Sequence, residues 1–147
     1  MTHTPPRRPI DWYSASDAAR IAGLSLDMVN YLARYKIVGA SGSEATGRGK
    51  QRRYTFADLL LLKVIARLLR GGISVLRLRE CISDLQKSGR SVRALMTRKY
   101  VVTDGYNIYL QDDGVLRRID SGQMAFAFVL DLSQIRKEVA ASIARVA

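Results

Sequence analysis

The sequence of 147 residues contains one cysteine, one histidine and three prolines. Cys81 has no second cysteine to pair with, so we expect a reducing, cytoplasmic setting close to the nucleoid. The histidine is His3, and a Cys/His metal cluster within one chain is therefore not predicted, nor is any cofactor. No apolar run approaches the roughly 20 residues of a membrane span, so no membrane partner is predicted either.

Groups suited to catalysis are equally scarce. Cys81 falls within an apolar stripe, where a cysteine usually acts as a small hydrophobic residue. The acidic pair Asp112 and Asp113 precedes Gly114, and Asp in that position favours a turn. We therefore predict that the protein is not an enzyme.

Acidic residues are scarce, and this scarcity is most marked in the first two-thirds of the chain. The net charge is +11, and residues 1–100 carry 19 Lys and Arg against 7 Asp and Glu, a net charge of +12. This balance indicates a polyanionic partner such as nucleic acid. The segment "MTHTPPRRPIDW" lacks the apolar stretch of a secretory signal. We expect residues 1–12 to be a disordered basic arm, either binding DNA or merely aiding solubility.

Two short helices are predicted first. In "YSASDAARIAG", Ser14 is a good N-cap and Gly23 a good C-terminal stop. In "LSLDMVNYLARYKIV", Ser25 caps a second helix that runs to about Tyr35. Two helices separated by a short break with glycine form a helix-turn-helix.

The second helix has two distinct faces. Val29 and Leu32 fall on one face at helical spacing and are expected to pack inward. The opposite face carries polar residues. Asn and Arg side chains can form hydrogen bonds with base edges, and Tyr can reach a phosphate. An ordinary solvated face remains an alternative. The residues of this outer face are Asp27, Asn30, Tyr31 and Arg34.

A basic loop, "GASGSEATGRGKQRRY", precedes two longer helices. Thr55 is expected to cap the third helix and Ser74 the fourth. Glycine allows close approach to a phosphodiester, and neutralising phosphates makes binding salt-dependent. The loop is therefore interpreted as the wing of a winged helix-turn-helix, with basic residues at Arg48, Lys50, Arg52 and Arg53.

The last third has a different periodicity. "QKSGRS" indicates a linker over residues 88–99, and Asp104-Gly105 is a strong hairpin signal. A third strand is predicted in "QDDGVLRRID" and a fourth in "SGQMAFAFVLDL". The final segment predicts an amphipathic helix. The expected fold class is α+β, with a four-helix winged helix-turn-helix over residues 13–87 and a small β-meander plus C-terminal helix over residues 100–147.

The final helix carries an apolar stripe. We expect this stripe to form a homodimer interface or to bind a different protein, because a small sheet needs one face covered. The alternative is that the helix covers its own chain's sheet. The stripe consists of Ile135, Val139, Ile143 and Val146.

The motifs "YSASDAARIAGLS", "ARYKIV" and "RRYTFADLLLLKVIARLLRGGIS" resemble the MerR family of bacterial transcription regulators over about residues 13–87. The resemblance implies that residues 25–35 enter the major groove, that Tyr31 contacts the DNA backbone and that Arg52-x-Tyr54 belongs to the wing. The family's long dimerising helix is replaced here by a β-rich segment, and its metal-sensing cysteines are absent. The resemblance therefore implies DNA binding and does not imply metal sensing.

The predicted function is a dimeric, sequence-specific regulator of transcription that binds double-stranded DNA and acts as a repressor. One alternative is an autoregulating antitoxin whose C-terminal part binds a toxin. Another is an accessory factor of recombination, similar to an excisionase. The candidate DNA-binding residues are Ser16, Ser25, Asp27, Asn30, Tyr31, Arg34, Arg48, Lys50, Arg52, Arg53 and Tyr54.

Overall fold

The structure is a computed structural model that describes residues 12–42, 52–111 and 128–146, except the side chains of residues 111 and 146. Within these ranges, none of the helices combines the length and the apolar character that a membrane crossing requires.

The first two helices form the predicted helix-turn-helix. Helix α1 spans Ala15–Ala22 and helix α2 spans Leu26–Arg34. The hydroxyl of Ser14 accepts a hydrogen bond from the Asp17 amide at 3.1 Å, and that of Ser25 caps α2 in the same way. Gly23 ends α1 with a φ of 77°, a left-handed conformation that glycine adopts without steric cost. The caps and the stop are confirmed.

Helix α3 is the central helix of the molecule. It spans Phe56–Arg70 and starts with a capping box between Thr55 and Asp58. It contacts α1, and residues 59–62 are all buried. Nearly the whole circumference of the helix is covered, since none of residues 58–69 is exposed. This coverage accounts for the continuous apolar run in the sequence.

Helix α4 spans Val75–Lys87, with Ser74 as its N-cap. A short 3-10 helix, Val92–Met96, follows within the predicted linker. Its Leu95 is fully buried and belongs to the same apolar core as α3. The segment between the two predicted units therefore takes part in the core.

Three strands form one antiparallel sheet. They are β1 (Tyr100–Thr103), β2 (Ile108–Gln111) and β3 (Phe128–Asp131), in the order β2-β1-β3. The hairpin at Asp104 is confirmed, and the Asp104 carboxylate accepts hydrogen bonds from the backbone amides of Tyr106 and Asn107 in the turn. Among the described strands the order is not that of a simple meander, because β1 pairs with β3 as well as with β2. Strand β1 is buried along its length. The strand expected in "QDDGVLRRID" lies outside the described residues.

The last helix, α5, spans Leu132–Val146 and packs against α3 and α1 as well as β3. Ile135 and Val139 are 3% and 0% exposed, so the core of their own chain covers them. These two residues are therefore not available to a dimer or partner surface in this conformation. The reason is that α3 also presents apolar side chains on the side facing α5. Ile143 is partly buried against the core, and the side chain of Val146 lies outside the described residues. The α+β class is confirmed.

Candidate nucleic-acid interface

The two ends of the basic loop lie side by side. The Gly42 amide donates to the Arg53 carbonyl at 2.8 Å, and Tyr13 and Tyr54 exchange backbone hydrogen bonds at 2.7 and 2.9 Å. A Cβ on Gly42 would lie 2.7 Å from the Arg53 carbonyl oxygen, which explains why glycine stands there. The loop therefore leaves and re-enters the fold at one fixed place. Its interior, with Arg48 and Lys50, lies outside the described residues.

Arg52 joins the wing to the second helix. Its Nη2 donates to Oδ1 of Asn30, and its Nη1 donates to the Tyr54 hydroxyl at 3.2 Å. Arginine has only donors, so the Asn30 atom that faces it must be the carbonyl oxygen. The Asn30 amide nitrogen then keeps both hydrogens for another partner. Two of the sequence-predicted residues are thus brought together from positions 22 apart in the chain.

Tyr31, the next residue of α2, contacts a different arginine. Arg79 of α4 donates from Nη1 to the Tyr31 hydroxyl at 3.2 Å. The same guanidinium lies 4.0 Å from the ring centroid of Tyr35, and the two tyrosine rings are 4.6 Å apart. Neighbouring residues of α2 are therefore held by side chains from two separate elements.

Tyr54 does not meet the expectation of a direct DNA contact. Its side chain is 0% exposed and lies in the apolar core. Burial raises the pKa of the Tyr54 hydroxyl, and the neighbouring Arg52 guanidinium only partly opposes that rise. The aromatic residue of the wing motif is thus an anchor that holds Arg52, because a phenol ring of this size is stable in the core once its hydroxyl has a partner.

The other candidates within the described residues lie at the surface. Arg53 is exposed, and its guanidinium lies 5.1 Å from the ring centroid of Trp12. Arg34 and Asp27 are exposed on α2, and Ser16 is exposed on α1. The remaining candidate, Ser25, uses its hydroxyl to accept from the Met28 amide.

A buried carboxylate holds the base of the wing. Asp58 accepts from the amide and the hydroxyl of Ser41, both at 2.8 Å, and from the Thr55 amide at 2.9 Å. Its other oxygen accepts from Arg93 of the 3-10 helix at 2.7 Å. Burial by itself would raise the pKa of Asp58, but these hydrogen bonds outweigh it and hold the pKa below its usual value. Asp58 therefore ties both flanks of the loop to α3 and to the 3-10 helix.

Helix α4 also contacts the hairpin. Arg77 donates from Nε to the Tyr106 carbonyl at 2.7 Å and from Nη2 to Asn107 at 3.0 Å, and it lies 3.8 Å from the Tyr106 ring centroid. Cys81 is only partly buried beside this contact. Burial raises the pKa of its thiol despite the nearby Arg77.

Residues that sequence reasoning missed are mostly the partners of the predicted ones. Arg79 lies 48 positions from Tyr31 and Arg93 lies 35 from Asp58, distances at which no periodicity pairs two polar residues. The available signal was Thr55 before an apolar run, which predicted the start of α3 but not the partners of Asp58.

The helix-turn-helix and the flanks of the basic loop lie within a segment that is similar to a known protein family. Residues 13–85 match the family described as "MerR HTH family regulatory protein". These residues are a MerR-family helix-turn-helix domain. The family is one of transcription regulators, and the resemblance inferred from the sequence is confirmed.

Similar proteins occur in mycobacteria. Uncharacterised HTH-type transcriptional regulators of Mycobacterium bovis and of two Mycobacterium tuberculosis strains are each 32% identical to this chain over 120 residues. The alignments cover 80% of this chain and 52% of each relative. The chain thus spans about half the length of the curated relatives it matches.

Proposed function

We propose that this MerR-family chain binds double-stranded DNA sequence-specifically and regulates transcription. The observation that carries the proposal is the hydrogen bond from Arg52 to Asn30, which couples the base of the wing to the outer face of α2. A helix in the major groove and a wing along the backbone must keep a fixed relation to read a duplex in one register. This bond supplies such a relation.

The bond also bears on base preference. With Arg52 on the carbonyl oxygen of Asn30, the pair mainly offers hydrogen-bond donors outward. Guanine presents two acceptors, N7 and O6, in the major groove, whereas the usual Asn–adenine pair needs the side-chain carbonyl as an acceptor. We expect a guanine opposite this pair.

The regulator is proposed to act as a homodimer and a repressor. Two copies on an inverted repeat would multiply the specificity of a single helix-turn-helix. Because Ile135 and Val139 are taken up by the core, the dimer would use other surfaces. Among the described contacts, none distinguishes a toxin or recombination partner, so those alternatives have no specific support.

The test is a selection of bound duplexes from a random pool, followed by titrations at several salt concentrations. We expect a recovered site with two-fold symmetry and a guanine in each half-site. Arg52→Ala should weaken binding about tenfold and reduce the salt slope by about one. Arg136→Ala, which removes the same charge from an exposed position on α5, is the matched control. A wild-type chain that recovers no duplex sequence would contradict the proposal.

A further inference from the structure

A cluster beside the Arg52–Asn30 pair carries a second, separate inference. It consists of Tyr31 of α2, Tyr35 at the C-cap of that helix and Arg79 of α4. The Arg79 guanidinium lies 4.0 Å from the Tyr35 ring centroid and 5.9 Å from that of Tyr31, and it donates to the Tyr31 hydroxyl. Two aromatic rings and one hydrogen bond therefore fix the arginine's orientation.

The hydrogen bond determines what the Tyr31 hydroxyl can do. Arginine only donates, so the phenol oxygen is the acceptor and its own O–H hydrogen is left for another group. A DNA phosphate oxygen only accepts and carries negative charge, which makes it a matching partner. The positive charge of Arg79 lies next to the same oxygen and attracts the phosphate as well.

The charge of Arg79 is not neutralised by an ion pair within the described residues. On the same helix, Glu80 pairs with Arg77 at 2.8 Å, and no carboxylate of residues 12–42, 52–110 or 128–145 forms an ion pair with Arg79. The cluster borders an open groove of about 350 Å³ between the end of α2 and α4, whose rim also carries Lys36. Cationic groups thus line this groove from α4 and from the segment that follows α2, and Glu80 is the acidic residue of the lining.

We propose that Arg79 is a positioning residue for recognition of the DNA backbone, because it directs the Tyr31 hydroxyl as a donor towards a phosphate. This inference rests on the proposed function and adds α4 to the DNA-facing elements. It gives Arg79 a role towards Tyr31 similar to the one proposed for Arg52 towards Asn30, the preceding residue of α2.

The experiment uses the full chain and the duplex recovered by selection. Arg79→Gln removes the charge and should weaken binding about tenfold, with the salt slope reduced by about one. Arg79→Lys keeps the charge but lacks the planar guanidinium that lies over the Tyr35 ring. Its salt slope should therefore be retained, while its affinity falls between those of the wild type and Arg79→Gln. Arg136→Gln is the control for net charge, and circular dichroism of each variant reports folding.

Two further measurements separate positioning from general attraction. In a Tyr31→Phe background, Arg79→Gln should weaken binding by only about twofold to threefold, because the hydroxyl that it positions is gone. A methylphosphonate scan of the duplex should find one backbone position at which the effect of Arg79→Gln disappears.

The outcomes distinguish the two proposals. If Arg52→Ala weakens binding while Arg79→Gln leaves the affinity and the salt slope unchanged, DNA binding stands and the role of Arg79 is refuted. Full additivity of Arg79→Gln and Tyr31→Phe would also refute positioning. If Arg79→Gln does not fold, the same measurement is made with Arg79→Lys alone and in the Tyr31→Phe background. Full additivity of those two changes would then refute positioning. A wild-type chain that binds no duplex would refute both proposals.

Discussion

Replacing Asp58 by asparagine should destabilise the fold by about 2 kcal/mol. Asp58 is 0% exposed, and its two oxygens accept four hydrogen bonds, three on one oxygen and one from Arg93 on the other. Asparagine has one oxygen and one amide nitrogen in the same volume. Whichever way the amide turns, donors face donors at one end.

The magnitude follows from that geometry. If the nitrogen faces Arg93, one charge-assisted bond is lost and the side chain of Arg93, which is 43% exposed, turns to water. If it faces Ser41 and Thr55, buried donors lose their acceptor. Each case costs about 1.5–3 kcal/mol. For a chain of this length, 2 kcal/mol corresponds to a lower melting temperature by about 4–8 °C.

Chemical denaturation followed by circular dichroism measures the difference directly. Asp84→Asn on α4 is the matched control, because that carboxylate is exposed, and it should change stability by less than about 0.5 kcal/mol. Equal stability of Asp58→Asn and the wild type at neutral pH would refute the assignment of Asp58 as the carboxylate that holds the wing base.

The pH dependence gives an independent test of the same residue. The folded-state pKa of Asp58 is lowered, so its ionised form contributes stability fully above the unfolded-state pKa of about 4. That contribution is lost as the pH falls through the lower folded-state pKa. The stability difference between wild type and Asp58→Asn should therefore shrink on acidification below about pH 4, and a difference that grows there would contradict this account.

Two further predictions concern the loop and the last helix. Gly42→Ala should destabilise the fold by about 1–2 kcal/mol and weaken DNA binding, because its Cβ would meet backbone 2.7 Å away, whereas Gly39→Ala, with nothing within 4 Å, should do neither. Val139→Ala should lower the free energy of unfolding by about 2 kcal/mol in one cooperative transition, which Trp12 fluorescence and circular dichroism should report at the same midpoint. Arg136→Ala should leave that midpoint unchanged. A Trp12 transition that stays in place would mean that the last helix unfolds separately.

The sequence predicted the local structure well because local rules determine it. Ser14, Ser25, Thr55 and Ser74 each cap a helix, and each was identifiable as a hydroxyl residue before an apolar repeat. The hairpin at Asp104 was equally local. These features depend on residues within about four positions of one another, as capping and turn geometry do.

Tertiary arrangement was less accessible for a physical reason. The stripe of α5 is apolar whether it packs on its own chain or on another, so periodicity alone does not identify what covers it. Tyr54 shows the same limit, because an aromatic residue beside arginines fits a DNA contact as well as a core anchor. Their burial depends on α3, whose continuous apolar run offers surfaces to several elements at once.

Helix α4 links the two halves of the molecule through neighbouring arginines. Arg77 and Arg79 are two residues apart, so they point to opposite sides of the helix. Arg77 contacts the hairpin through Tyr106 and Asn107, and Arg79 contacts α2 through Tyr31. The hairpin and the outer face of α2 are therefore separated by one helix. A displacement of the hairpin that carried α4 with it would alter the setting of Tyr31 without any contact between the sheet and DNA.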